Sequence, residues 1–232
     1  MEQESKRNQA VDRRPPIFED RPAAGRALTK HLLRYKGEPG LLILALSSGG
    51  VIVGKEIALS LKVPMAFFHS RRLPIPGHPE MAFGAMTETG AIYLLSDIIS
   101  RYEIPDRYIQ ETIASKKEEI LQRRRRFREA TVGFDLCGKK VILVDEGITN
   151  GAVLISALQW LRMERVDRRI VALPVAPLEK ISRINECSEE SVILYITTSL
   201  RPVEQFYRRF DPVSDEVARA TLSALNAGKK AA

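Results

Sequence analysis

The chain has 232 residues, 44% of them hydrophobic and 28% charged, a balance that excludes a disordered or collagen-like polypeptide and suits a soluble globular protein. Its formal net charge of +7 and pI near 9.5 favour anionic partners, nucleic acid or a phosphorylated metabolite, without choosing between them. No apolar run approaches the ~20 residues that span a bilayer; Met1–Arg7 lacks a hydrophobic signal core, and Cys137 and Cys187 form no closely spaced pair, so the cytoplasm is the expected compartment.

Residues 1–16 are polar and end in Pro15-Pro16, which predicts a disordered arm ahead of a single domain over 17–232. Arg21 to Tyr35 reads as a helix with Ala24, Ala27, Leu28, Leu32 and Leu33 on one side, broken by Gly37 and Pro39-Gly40. Leu41 to Leu46 is a strand, Ser47-Ser48-Gly49-Gly50 a sharp turn, Val51 to Leu61 a helix and Met65 to Phe68 a second strand. From His69 to Pro79, histidines and arginines alternate with Pro74, Pro76 and Gly77, which predicts a long loop of the kind used as a lid. Phe83 to Thr87 and Ala91 to Leu95 read as a hairpin turning at Thr89-Gly90. Pro105 to Arg128 reads as one long charged helix with Ile109, Ile113, Ile120 and Leu121 as its sparse apolar face. Strands follow at Val141–Val144, Arg169–Val175 and Val192–Thr197, with helices at 152–161, 177–185, 202–210 and 215–226. Repeated strand–turn–helix units predict an α/β fold, a Rossmann-like and mainly parallel sheet flanked by helices.

The chemistry concentrates where Val141-Ile142-Leu143-Val144 gives way to Asp145-Glu146 and then to Gly147-Ile148-Thr149-Asn150-Gly151-Ala152. Ligands of open α/β sheets bind at the carboxyl ends of strands, and the free amides of a helix start attract an anion. Gly147, Ile148, Thr149, Asn150, Gly151 and Ala152 are therefore expected to turn amides toward a phosphate, and Asp145 and Glu146 to meet sugar hydroxyls or a divalent cation. The alternative is a plain strand-to-helix turn with an N-cap, in which one carboxylate is structural. No Gly-Lys-Ser/Thr ends the loop, so it is not a nucleoside-triphosphate P-loop. The run Arg123–Arg126 reads either as a solvated helix face or subunit contact, or as a phosphate-binding surface.

Four stretches together resemble the type I phosphoribosyltransferases, and in particular the bacterial and archaeal group of predicted phosphoribosyltransferases. They are Phe18-Glu19-Asp20-Arg21 with Ala24-Gly25; Leu46-Ser47-Ser48-Gly49-Gly50-Val51; Arg72-Leu73 with Pro79-Glu80-Met81-Ala82-Phe83-Gly84-Ala85; and the Asp145-Glu146 loop, so the resemblance runs from about Phe18 to about Phe210. It implies a type I phosphoribosyltransferase fold with a small hood, built here from the N-terminal helix and the Phe83–Leu95 region. It implies transfer of a phosphoribosyl group from phosphoribosyl pyrophosphate (PRPP) to a small nitrogen-containing acceptor, with Mg²⁺ as cofactor and a homo-oligomer, most simply a dimer. Asp145 and Glu146 would meet the ribose hydroxyls and reach the metal directly or through water. The loop 147–152 would hold the 5′-phosphate, Ser47, Ser48, Gly49 and Gly50 the pyrophosphate, and Arg72 would stabilise the charge of the departing pyrophosphate. Glu80 would orient the hood. The chain departs from its relatives at Ser47 and Ser48, where they carry Pro-Arg, and at Asn150 and Val153, where they carry Thr; Thr149 stands where purine-salvage members have the Asp that contacts the base, which argues against a hypoxanthine-guanine transferase. The second reading is a catalytically weak relative that senses a nucleotide or binds RNA, motivated by Ser48, Arg123–Arg126 and the net charge.

Overall fold

A computed structural model describes residues 17–127, 136–198 and 202–227, with Glu80 described by its backbone only. The expected arm at 1–16, the end of the long charged helix and the Glu80 side chain lie outside the described residues.

Five parallel strands form the main sheet. In chain order they are β1 (Leu41–Ala45), β2 (Met65–Phe67), β6 (Lys140–Val144), β7 (Arg168–Pro177) and β8 (Glu190–Thr197), and their spatial order is β2-β1-β6-β7-β8. The runs Leu-Leu-Ile-Leu-Ala of β1 and Val-Ile-Leu-Val of β6 are buried throughout because helices cover both faces of a parallel sheet. On one face Ile43, Ala45, Ile142 and Val144 pack beneath α1 (Arg21–Leu32), α2 (Ser48–Leu61) and α7 (Asp215–Asn226). On the other, Leu42, Leu44, Val141 and Leu143 pack beneath α5 (Ala152–Met163) and α6 (Leu178–Cys187). Asn226 at the end of α7 accepts from Met65 N (3.3 Å) and donates to Met65 O (2.8 Å), so a side-chain amide occupies the backbone groups of edge strand β2.

A second sheet of three antiparallel strands, β3 (Ser70–Ile75), β4 (His78–Thr87) and β5 (Ile92–Leu94), stands beside the first. Its apolar face carries Leu73, Ile75, Phe83 and Met86, packed against α3 (Ser96–Arg101) and Ile109 and Ile120 of α4 (Asp106–Phe127). The hairpin turning at Gly90, whose φ is +85°, is as expected.

Three expectations are corrected. The stretch His69–Pro79 is not a lid loop but the first strand of this sheet and the turn into the next. Leu73 and Ile75 are buried partners of β4, and Pro74 sits where the ladder shifts register, a bulge position that tolerates a residue without an N–H. The N-terminal helix is not part of the hood: Leu28 and Leu32 of α1 lie in the core of the main sheet, so the small sheet with α3 and α4 forms the hood alone. The helix expected at 202–210 is a single short 3₁₀ turn, Val203–Phe206.

Candidate functional site

The central strand β6 delivers Asp145 and Glu146 to the carboxyl end of the sheet, beside the end of β1, from which α2 starts. Ser47 caps α2: its Oγ accepts from Gly50 N at 2.8 Å and donates to Asp145 Oδ1. Asp145 Oδ1 also accepts the Glu146 amide at 2.9 Å. Burial pushes the Asp145 carboxyl up to about 7, aided by the charge of Glu146 and opposed by the Ser47 hydroxyl, the Glu146 amide and the charge of Arg72. Both glycines of the α2 turn sit at close approach to the end of β6. A Cβ on Gly50 would meet Val144 O at 3.0 Å and Asp145 Oδ1 at 3.1 Å, and one on Gly49 would fall on the Glu146 carboxylate. The helix therefore begins at Ser48, three residues before the expected start, and its first amides point out at this end of the sheet.

Glu146 is committed to a protein partner. Its carboxylate pairs with Arg21 Nε, whose Nη1 donates to Asp211 O at 2.7 Å and whose guanidinium lies 3.7 Å over the Phe210 ring. Asp20, one residue earlier, caps α1 through Ala23 N at 2.8 Å. The backbone oxygen of Glu146 accepts from the Tyr207 hydroxyl at 2.6 Å. Of the two adjacent carboxylates, Asp145 thus faces the Ser47 turn while Glu146 is held by the first turn of α1.

The loop after them divides as well. Ile148 N donates to Val175 O at 3.1 Å and its side chain is core, while Ala152 N is capped by Asn150 Oδ1 at 3.1 Å. The amides of Gly147, Thr149, Asn150 and Gly151 take no protein acceptor among the described residues. Gly147 (φ +139°) and Gly151 (φ +72°) hold backbone conformations that side chains rarely adopt, and this bends the chain into an anion-receptive turn. Asn150 Nδ2 reaches Ala82 O of β4 at 3.4 Å, so the loop touches the hood.

The basic candidates separate. Arg72 on β3 is exposed, and its charge reaches Asp145. Arg71 turns to Glu119 of α4 at 3.1 Å. His69 is buried at 2% exposure between Phe67 and Phe127, its Nδ1 without a partner, and burial with the charges of Arg123, Arg124 and Arg71 lowers its pKa to about 4. The arginine run is not one surface: Arg123 points inward to Asp215 and Ser48, Arg124 pairs with Glu88 at 3.2 Å, and Arg125 and Arg126 are exposed. Arg123 reads in the sequence only as part of the arginine run, and Arg21, Tyr207 and Asp215 are the residues at this site to which the sequence assigns no role. Only Arg21 carried a signal, its place in Phe18-Glu19-Asp20-Arg21.

Residues 18–193 match the model of the phosphoribosyl transferase domain. Two curated proteins from Mycobacterium tuberculosis, strains CDC 1551 / Oshkosh and H37Rv, provisionally named phosphoribosyl transferases, are each 34% identical over 207 residues, 89% of this chain and 46% of theirs. The chain thus spans about half the length of the curated relatives it matches. The crystal structure of the protein TT1426 from Thermus thermophilus superimposes with a TM-score of 0.73 at 31% identity, covering 90% of this chain and 99% of that one.

Proposed function

Because this chain belongs to the phosphoribosyl transferase domain family, we propose that it transfers a phosphoribosyl group from PRPP to a small nitrogen-containing acceptor and releases pyrophosphate. The observation that carries this reading is the pairing of two helix starts at the carboxyl ends of neighbouring strands β1 and β6, with Asp145 between them. Two separated anionic groups on one sugar match two amide-rich turns flanking a carboxylate.

In this reading the amides of Thr149, Asn150 and Gly151 receive the 5′-phosphate, and the α2 turn receives the pyrophosphate. Asp145 faces the ribose. Its Oδ1 is taken by Ser47 and by the Glu146 amide, and Oδ2 has no hydrogen-bond partner among the described residues. The bond from the anomeric carbon to the pyrophosphate oxygen breaks with its electron pair leaving on pyrophosphate, the acceptor nitrogen bonds that carbon, and the acceptor's proton passes to the departing pyrophosphate or to solvent. Arg72, a strand-borne cation whose charge reaches Asp145, gains interaction energy as charge builds on the leaving oxygens. Positioning by the two turns lowers the entropic barrier.

Among the described residues no group of three or more His, Cys, Asp or Glu gathers as a metal cage. A single free carboxylate edge fits an ion held chiefly by ligand oxygens, as Mg²⁺ is beside phosphates. Asp145 is the residue that would hold it, with Glu146 behind Arg21. Bound there, Mg²⁺ supplies neutralisation of the pyrophosphate charge.

The experiment is a PRPP-consumption assay over pooled bases and small amines, with pyrophosphate measured beside a no-acceptor control. Acceptor-dependent release supports the transferase. PRPP binding without release across a broad panel overturns it in favour of a nucleotide sensor. The RNA-binding alternative is weakened by the inward Arg123 and by the pairing of Arg124 with Glu88, which leave only Arg125 and Arg126 of the basic run both exposed and without an ion pair among the described residues.

A further inference from the structure

The α2 turn is served by a cation from a distant part of the chain. Ser48 Oγ accepts a hydrogen bond from Arg123 Nη2 at 2.7 Å and donates to Asp215 Oδ1 at 2.9 Å. Arg123 pairs with the same carboxylate through Nε at 2.9 Å and through Nη2. Its Nη1, with two hydrogens, has no acceptor among the described residues. Arg123 Cζ lies 4.5 Å from the Phe67 ring centroid and 5.5 Å from that of Phe127, and the side chain is 12% exposed. His69, with its unpartnered Nδ1, packs against the same two rings. Two polar groups with unused hydrogen-bonding capacity therefore share one aromatic enclosure beside the first turn of α2. Arg71 is close enough for its charge to act on both Arg123 and Asp215.

A helix start contributes only about half a unit of positive charge. A pyrophosphate group needs full cations, and a guanidinium already held by Asp215 and Ser48 beside two aromatic rings loses little freedom when it donates to one. We infer that Arg123 is a pyrophosphate-binding residue of the Ser47–Gly50 turn: Nη1 donates to an anionic oxygen while Asp215, a positioning residue, holds the rest of the guanidinium. Ser48, a neutral hydroxyl, fixes the cation against the turn through its bonds to Arg123 and Asp215. This inference rests on the proposed PRPP reading and adds a residue outside all the stretches that carry the family resemblance.

The test titrates the full chain by calorimetry, at fixed ionic strength, with inorganic pyrophosphate and separately with ribose 5-phosphate. For Arg123→Met the expected result is a loss of pyrophosphate affinity of about tenfold or more, the scale of a lost charge-assisted contact, with ribose 5-phosphate affinity unchanged within about twofold. Arg123→Lys, which keeps the charge without the fork, is expected to fall between Arg123→Met and the unaltered chain, and it guards against a simple loss of packing. Unchanged pyrophosphate affinity in Arg123→Met, or equal losses for both ligands, overturns the inference. Unaltered chain that binds ribose 5-phosphate but not pyrophosphate also overturns it while leaving the 5′-phosphate site standing. Unaltered chain that binds neither overturns the PRPP reading itself.

Discussion

Arg21 in the first turn of α1 holds the carboxylate of Glu146, 125 positions later, at the end of the central strand. The arginine is 8% and the glutamate 21% exposed, so the pair is desolvated on one side. Removing one partner leaves a half-buried charge without compensation. Arg21→Met is expected to destabilise the protein by about 2 kcal/mol, or roughly 4–8 °C in Tm for a chain of this size. The double variant Arg21→Met with Glu146→Gln should recover part of that loss, and a thermal double-mutant cycle without coupling would show that the pair contributes nothing.

Gly49 tests the same pair from the other side. Its missing Cβ is the space that the Glu146 carboxylate and Arg21 occupy. Gly49→Ala should therefore cost about 1–3 kcal/mol through overpacking and weaken PRPP binding more than Ser48→Ala does. Calorimetric titration of both variants checks the order, and equal binding in the two would refute it.

Asp145→Asn is expected to leave the fold intact, because burial already works against the charged form and the amide keeps its place beside Ser47. Affinity for PRPP should fall about tenfold or more through loss of a charged acceptor. A melting curve beside a PRPP titration separates the two effects. Lost stability with unchanged affinity would make Asp145 structural.

His69 predicts acid sensitivity with a definite sign. Its pKa is about 4 in the fold against 6.5 when unfolded, so between those values the unfolded chain binds the extra proton. The contribution is fully present above pH 6.5 and lost as the pH falls toward 4, about 3 kcal/mol in all. His69→Phe should flatten the decline of Tm over this window relative to the unaltered chain, while the two profiles run parallel above about pH 7. Parallel profiles at the acid end of the window as well would exclude His69 as the titrating group.

Much of the sheet was legible because burial on both faces demands unbroken branched apolar runs. Leu41–Leu46 and Val141–Val144 have no other reading, and Asp215–Asn226 matches its helix residue for residue. The strand β3 was hidden by Pro74 and Pro76, which signal a loop until a bulge partner is known. Helix α2 starts early because glycines that read as a turn are there to let β6 approach its first residues. At the site, Asp145 and the loop 147–152 stand next to each other in the chain and could be read together. The partners Arg21, Arg123, Tyr207 and Asp215 come from other helices and loops, and no local pattern records a contact across 92 or 125 residues.

Those separations also bear on how the protein is made. Glu146 gains its Tyr207 hydroxyl, Arg21 its Asp211 carbonyl and Arg123 its Asp215 carboxylate only after strand β8 has been synthesised. A nascent chain that has emerged as far as α5 already possesses Asp145, both glycine turns and the hood, yet its carboxylates and guanidiniums still lack these late anchors. Parallel pairings and contacts of long sequence separation form slowly. The binding end of the sheet thus draws on both ends of the polypeptide, and a translation product stopped before Val203 would carry the recognisable motifs without the framework that aims them.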